Sequence, residues 1–347
     1  MRKGRLIEPP FFVKLCQSAL YSAISRPICL ELGIHRLERY LAILKSARHH
    51  WWPECVSQYW KNADDRVNWL LPSGEVRSIP PKELGLVRNG HHIKYGANPN
   101  ESTAWDQSFE SEFDSADSNF PTVIAWLESL PRESRFGKRL RERFLPLSAS
   151  DEDLYRLVEG IVSLAVRSPM NRAMAVQFSD DFGPLPPAMR ESVRGLNMRD
   201  MQRLAVQSIG TRGKFVVLYS PEKEFIFGDG FFHNITTPNF VPYAPEILAP
   251  ITPNLSVLYV RPLEYGVEPK LTSFVIDESE ANILNDVVQV YSKDAVFFRS
   301  EKPNIIDAFG SNQHQRYSHP GNPIANLIHT IPGVPDRDRS WDHFFNK

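Results

Sequence analysis

Three cysteines in 347 residues leave this chain with little scope for thiol chemistry. Cys16, Cys29 and Cys55 form no C-x-x-C pair, and any disulfide would leave one of them single. That usage fits a reducing cytoplasm and excludes a disulfide-stapled scaffold. As small apolar residues they belong in a core; at Cys55 the adjacent Glu54 opposes thiolate formation. Long apolar runs are missing as well. No window reaches roughly eighteen uncharged apolar residues, which argues against a transmembrane helix. The first residues, Met1 to Arg5 and then Pro9 to Val13, imitate a secretory signal, but Lys14 interrupts the apolar stretch and Arg26-Pro27 ends it. The expected location is the cytoplasm.

Charge of one sign is also absent. Lys+Arg 40 against Asp+Glu 41 gives a net charge of -1, so no global field favours strong nonspecific binding to nucleic acid, and no membrane insertion is expected. A local strip carries Arg132, Arg135, Lys138, Arg139, Arg141 and Arg143 against Glu133 and Glu142. It reads as a solvated linker or helix face in preference to a phosphate-binding strip. H-E-x-x-H, the Walker glycine-lysine loop, G-x-G-x-x-G, G-x-S-x-G and zinc-type cysteine pairs are all missing. Zincin proteases, P-loop ATPases, Rossmann dehydrogenases and α/β-hydrolases are therefore disfavoured, whereas sites assembled from distant loops stay open.

What is present points to an α+β fold, with helices packed on segregated antiparallel hairpins and sheet and no doubly wound alternation. Residues 1–47 read as a helical extension, with helices over 11–25 and 29–47 broken at Pro27. Residues 48–310 form the main domain and 311–347 a loop-rich tail that passes over the surface or frays. Arg66–Leu71 and Glu75–Ile79 flank Pro72-Ser73-Gly74, a hairpin signal. From Ser102 the spacing of Trp105, Phe109, Phe113 and Ala116 predicts a helix that Pro121 kinks or restarts. Ser150 and Asp153 have capping-box-like spacing before a helix over 151–178, bent or ended at Pro169. A further helix is predicted over 188–208. Lys214–Tyr219 and Lys223–Phe227 read as a second hairpin, and Leu255–Val260 as a strand. Asp277 and Glu280 box the start of another helix, followed by a strand over 295–298.

Four groups of residues carry chemical interest. His49-His50 runs straight into Trp51-Trp52-Pro53, and histidine is the side chain most easily tuned for proton transfer or metal ligation near neutral pH. Adjacent residues of a strand point to opposite faces, so one of the two would face a given pocket. His91-His92 follows the turn signal Asn89-Gly90 and reads first as loop or strand. Asp229, between Gly228 and Gly230 after an apolar strand, could approach a ligand or metal closely, or bond backbone as a turn residue. Arg167, before Ser168-Pro169, could satisfy helix carbonyls or project into a pocket as an anion clamp.

Taken in order, these segments resemble the bacterial domain-of-unknown-function 4238 family over about residues 48–299. The likeness is carried by His49, His50, Pro53, Gln58, Tyr59 and Trp60, the acidic stretch Asp106–Glu112, and Arg167-Ser168-Pro169 with Arg172. It continues through Phe227–Gly230, Pro250–Pro253 and Asn285. Where the family has Ser-Asp-Asn-Pro this chain has Gly228-Asp229-Gly230-Phe231, and Trp51-Trp52-Pro53 replaces the usual Val-Pro after the histidines.

A histidine, an acidic residue, an arginine near a helix end, a strand-end aspartate and an asparagine would make a sensible pocket. In the expected site His49 or His50 is a general base and Asp229 its orienter or a metal ligand. Arg167 stabilises the anion, Glu112 adds a second carboxylate, and Asn285 completes the set. The reaction class most compatible with that set is hydrolysis or transfer at a phosphoester, nuclease-like, with a divalent metal open as a cofactor. The competing expectation is a non-catalytic interaction or scaffold protein whose polar residues form a structural hydrogen-bond network. The seven Trp and 21 Phe could equally line a partner surface, with the N-terminal helices as the candidate contact.

Overall fold

The computed structural model describes residues 43–98, 100–181, 183–235, 242–317 and 322–335. The chain falls into two compact units, residues 1–42 and 43–347, and the architecture below is that of the second. The helices expected over 11–25 and 29–47 lie outside the described residues except for 43–47, which are not helical.

The unit is α+β. Its larger sheet has five strands in the order β10-β11-β8-β12-β7: β7 (Leu145–Leu147), β8 (Lys214–Tyr219), β10 (Glu246–Thr252), β11 (Leu255–Val260) and β12 (Leu271–Val275). Every residue of β8, β11 and β12 is buried, as their near-continuous apolar composition requires. β12 runs parallel to β8 while the other pairings are antiparallel. A four-stranded sheet has the order β3-β2-β13-β9, from β2 (Val67–Leu70), β3 (Val76–Ile79), β9 (Phe227–Gly228) and β13 (Val296–Phe298). The first hairpin forms as the sequence predicts, with Gly74 at φ +87° in its turn. The second does not. Lys223–Phe227 leaves β8, and Phe227–Gly228 pairs with β13 in the other sheet, because β11 and β12 occupy both edges of β8.

The principal helices are α2 (Asp114–Ser129), α3 (Asp151–Arg167), α4 (Pro169–Asp181), α5 (Pro187–Ile209) and α6 (Glu278–Tyr291). Ser150 caps α3 by accepting the Asp153 N–H at 3.0 Å, and α6 begins with the full Asp277/Glu280 capping box. Pro169 separates α3 from α4 at Ser168. The helix predicted from Ser102 starts twelve residues later. Pro121 sits inside α2, and its missing N–H leaves the Asp117 carbonyl without its helical donor. The Cys55 thiol, from the short helix α1 (Glu54–Ser57), donates to that carbonyl at 3.6 Å.

The tail is not loose where it is described. Ile324 and Ile328 of α8 (Pro323–Ile328; α7 is Asp307–Gly310), with Ile331 and Val334, are buried in the main core. Part of the basic strip is engaged within the fold: Arg143 is bidentate to Glu280, Arg135 pairs with Glu133, and Arg132 lies over the Tyr219 ring, while Lys138 and Arg139 are exposed.

Candidate active site

The paired tryptophans place the first histidines. Trp52 stacks on Phe227 at 4.4 Å between ring centroids and meets Phe297 at 4.7 Å; Trp60 packs against both Trp52 and Phe227. Aromatic pairs of this kind contribute about 1 kcal/mol each beyond area burial. They pin the segment after β1 (Arg48–His50) to the four-stranded sheet. β1 itself pairs with β4 (Leu86–Arg88), setting His49 opposite Val87 and His50 opposite Leu86. The two histidines leave β1 on opposite faces, as strand geometry demands. His49 is buried at 7% exposure, and His50 lines a surface cleft.

Beyond β4 the chain turns at Asn89 (φ +51°) and Gly90, which brings His91 back against His49. The His91 amide donates to His49 Nδ1 at 3.2 Å, and the two rings stack at 4.9 Å. His92, in β5 (His92–Ile93), meets the His49 ring edge-on at 4.8 Å. β5 pairs with β6 (Gln107–Ser108), and this delivers Glu110, whose Oε2 contacts His91 Nδ1 and lies 3.8 Å from His49 Nε2. One donor atom from each of His49, His91 and Glu110 falls within 4.8 Å of the other two. Burial, followed by the neighbouring His91, drives the pKa of His49 down to about 4. His91 is pushed well below the usual range by burial and by Arg167 and Arg172, and His92 is lowered by burial and then Lys94. These imidazoles are neutral at pH 7. With its Nδ1 accepting an amide, neutral His49 carries its proton on Nε2, facing Glu110.

The cleft beside this cluster has a volume of about 390 Å³ and is walled by Arg48, His50, Glu54, Glu110, Asp117 and Arg167, with Cys55 among the others. His50 Nδ1 lies 2.9 Å from the Leu84 carbonyl, so Nδ1 is the donor in that bond. Arg167 is only 1% exposed. It does not satisfy helix carbonyls; it grips Asp117 of α2 through two bonds of 3.0 and 2.5 Å, bonds Ser163 at 2.6 Å and lies over the Phe113 ring. Cys55 is no nucleophile here, because burial and then Asp117 push its thiol up to about 11.

Of the residues expected to form one pocket, His50 and Arg167 line the cleft and His49 lies behind it. The other three have different work. Asp229 is buried, with its carboxylate accepting the Lys293 and Asp294 amides at 2.8 and 2.9 Å. Its flanking glycines are required by close packing: a Cβ on Gly228 would collide with Ser292 Oγ, and one on Gly230 with the Tyr291 carbonyl. Asn285 bonds the Ile226 amide and the Glu224 carbonyl, anchoring the entry to β9. Glu112 forms an ion pair with Arg203. The acidic residue that joins the histidines is Glu110, two positions earlier, and His91, read from sequence as loop or strand, stands at the centre. A second histidine pair after a turn, followed by acidic residues, was the available signal. Among the described residues no helix is long and apolar enough to cross a membrane. No family model matches the chain, nor does any curated protein or solved structure, so its likeness to the domain-of-unknown-function 4238 family rests on the motifs alone.

Proposed function

We propose that the chain is a hydrolase of phosphoesters, acting in the cytoplasm at the cleft between β1 and the start of α2. The observation that carries this reading is His50. Its Nδ1 is committed to the Leu84 carbonyl, which leaves Nε2 as the remaining ring nitrogen on the wall of a polar cleft that also holds Arg48, Glu110 and Arg167. A ring held in one tautomer, with its acceptor toward the substrate space, suits a general base that takes a proton from attacking water. Arg48 has no ion-pair or hydrogen-bond partner among the described residues and would meet the phosphoryl oxygens. Arg167, already neutralised by Asp117, serves as a rigid wall and a donor of orientation more than of charge. The cysteine usage agrees with a reducing compartment.

The test is turnover of a panel of chromogenic phosphomonoesters and phosphodiesters, nucleotides and short nucleic acids, with and without divalent metal. His50→Ala should lower kcat by about a hundredfold or more, the range for loss of a general base. No turnover of any panel member, or turnover unchanged in His50→Ala, rejects the reading. A non-catalytic scaffold has one observation in its favour: Asp229, Asn285 and Glu112 are all spent on hydrogen bonds or ion pairs within the fold. It predicts an inactive panel together with normal folding.

A further inference from the structure

We propose that His49, His91 and Glu110 form a binding site for a first-row transition dication, with zinc the best chemical match. The donor set is two imidazole nitrogens and one carboxylate oxygen, drawn from three separate segments: β1, the turn before β5, and the stretch after β6. Mixed nitrogen and oxygen donors favour zinc and its first-row neighbours over magnesium or calcium, which take oxygen ligands.

Three features of the cluster support a cation there. First, the charge is unbalanced. The ion-pair-range neighbours of Glu110 among the described residues are the His49 and His91 rings alone, and no lysine or arginine among them lies within 4.0 Å of its carboxylate. Second, the spacing is close. Tetrahedral zinc with bonds of about 2.1 Å holds its ligand atoms about 3.4 Å apart. His49 Nε2 and Glu110 Oε2 are 3.8 Å apart, so that edge closes with a shift of a few tenths of an ångström, while the hydrogen-bonded His91–Glu110 edge must open to admit the ion. Third, a donor stands uncommitted beside the cluster: His92 packs edge-on against His49, and its buried Nδ1 has no hydrogen-bond partner among the described residues.

Ligation carries a cost that defines the mechanism. His49 accepts the His91 amide on Nδ1, so coordination through Nε2 moves the ring proton to Nδ1 and releases that amide. The His91 proton likewise passes from Nδ1, where it meets Glu110, to Nε2. No redox change and no external proton acceptor are needed.

The Glu110 side chain is 42% exposed and walls the cleft, which gives an ion a route in and leaves open coordination positions facing the substrate space. The cleft wall holds three carboxylates, Glu54, Glu110 and Asp117, against two guanidiniums, Arg48 and Arg167. A dication would reverse that sign and let a phosphoester approach. This catalytic meaning rests on the function proposed above; ion binding itself does not.

The experiment uses the full chain without a polyhistidine tag, stripped with a chelator. It is titrated with zinc and, separately, magnesium by calorimetry, and with cobalt(II) by visible absorption. One equivalent of zinc, no comparable magnesium uptake, and a cobalt spectrum of mixed nitrogen and oxygen ligation are expected. Glu110→Gln, nearly isosteric and partly exposed, should weaken zinc binding by about a hundredfold or more and abolish the cobalt band, and His91→Ala should do the same. Thermal melts of the metal-free variants check folding; if His91→Ala does not fold, Glu110→Gln decides. Sub-stoichiometric uptake, or zinc affinity unchanged in Glu110→Gln, overturns the site. Zinc uptake without turnover would leave the site standing and reject the hydrolase, and turnover without uptake would do the reverse.

Discussion

Lowering the pH should unfold this protein partly through one side chain far from the cleft in sequence, His233. It is only 4% exposed, packs edge-on against Phe231 at 5.5 Å, and bridges to Ile247. Neither ring nitrogen has a hydrogen-bond partner among the described residues. Burial, with the Arg316 charge as the smaller cause, takes its pKa from 6.5 down to about 3. The folded ring therefore stays neutral between those values while the unfolded chain takes up a proton. Because the unfolded state binds more protons there, stability falls as pH falls from about 6.5 towards about 3, and is flat in this group above that window. At about pH 5, one and a half units into the window, the loss at about 1.4 kcal/mol per unit is about 2 kcal/mol. Urea unfolding of the wild type and His233→Leu at about pH 7.5 and about pH 5 measures it. The wild type should lose about 2 kcal/mol more than the variant between the two conditions. At the higher pH the variant should be at least as stable, since a buried polar atom without a partner costs about 1–3 kcal/mol. Equal losses in the two proteins would refute the assignment of a dry, neutral His233.

Asp117→Asn strips the carboxylate from the buried Arg167 guanidinium and should cost about 3 kcal/mol in urea unfolding, because the charge left behind has no other anionic partner among the described residues. Cys55→Ala should cost about 1 kcal/mol by freeing the Asp117 carbonyl. That loss should shrink in a Pro121→Ala background, where a main-chain amide becomes available to the same carbonyl; an unchanged loss in the double-mutant cycle would reject the link. Ser150→Ala should lower the thermal midpoint through about 1 kcal/mol of lost N-capping to α3.

Local physics accounts for the elements that were legible. The 67–79 hairpin, the Ser150 and Asp277 caps, the break at Pro169 and the alternation of His49 and His50 all follow from interactions between residues a few positions apart. The apolar spacing from Trp105 to Ala116 misled for an instructive reason. Trp105 is exposed; Phe109, Phe113 and Ala116 are buried, but a strand and a short 3₁₀ turn present the two phenylalanines, so over those three positions the periodicity recorded burial and not helix. The hairpin expected after Tyr219 failed because strand partners are chosen by competition across the whole sheet. The buried tail segment escaped notice because its isoleucines and valine are spread through a region rich in proline and asparagine.

By itself the amino-acid order determined the α+β class, the buried strands, the helix caps and the presence of two histidine pairs, since periodicity, capping and turn chemistry act over short range. Tertiary structure alone decided which chemistry-bearing residues meet. Asp229 and Asn285 carry groups that suit a catalyst, yet chain packing surrounds them with main-chain amides and carbonyls that they must satisfy. His91 and Glu110, nineteen positions apart, converge with His49 because the β1–β4 and β5–β6 pairings fold three segments onto one another. Such convergence depends on long-range strand register and aromatic anchoring, whose partners lie beyond the reach of any local sequence window.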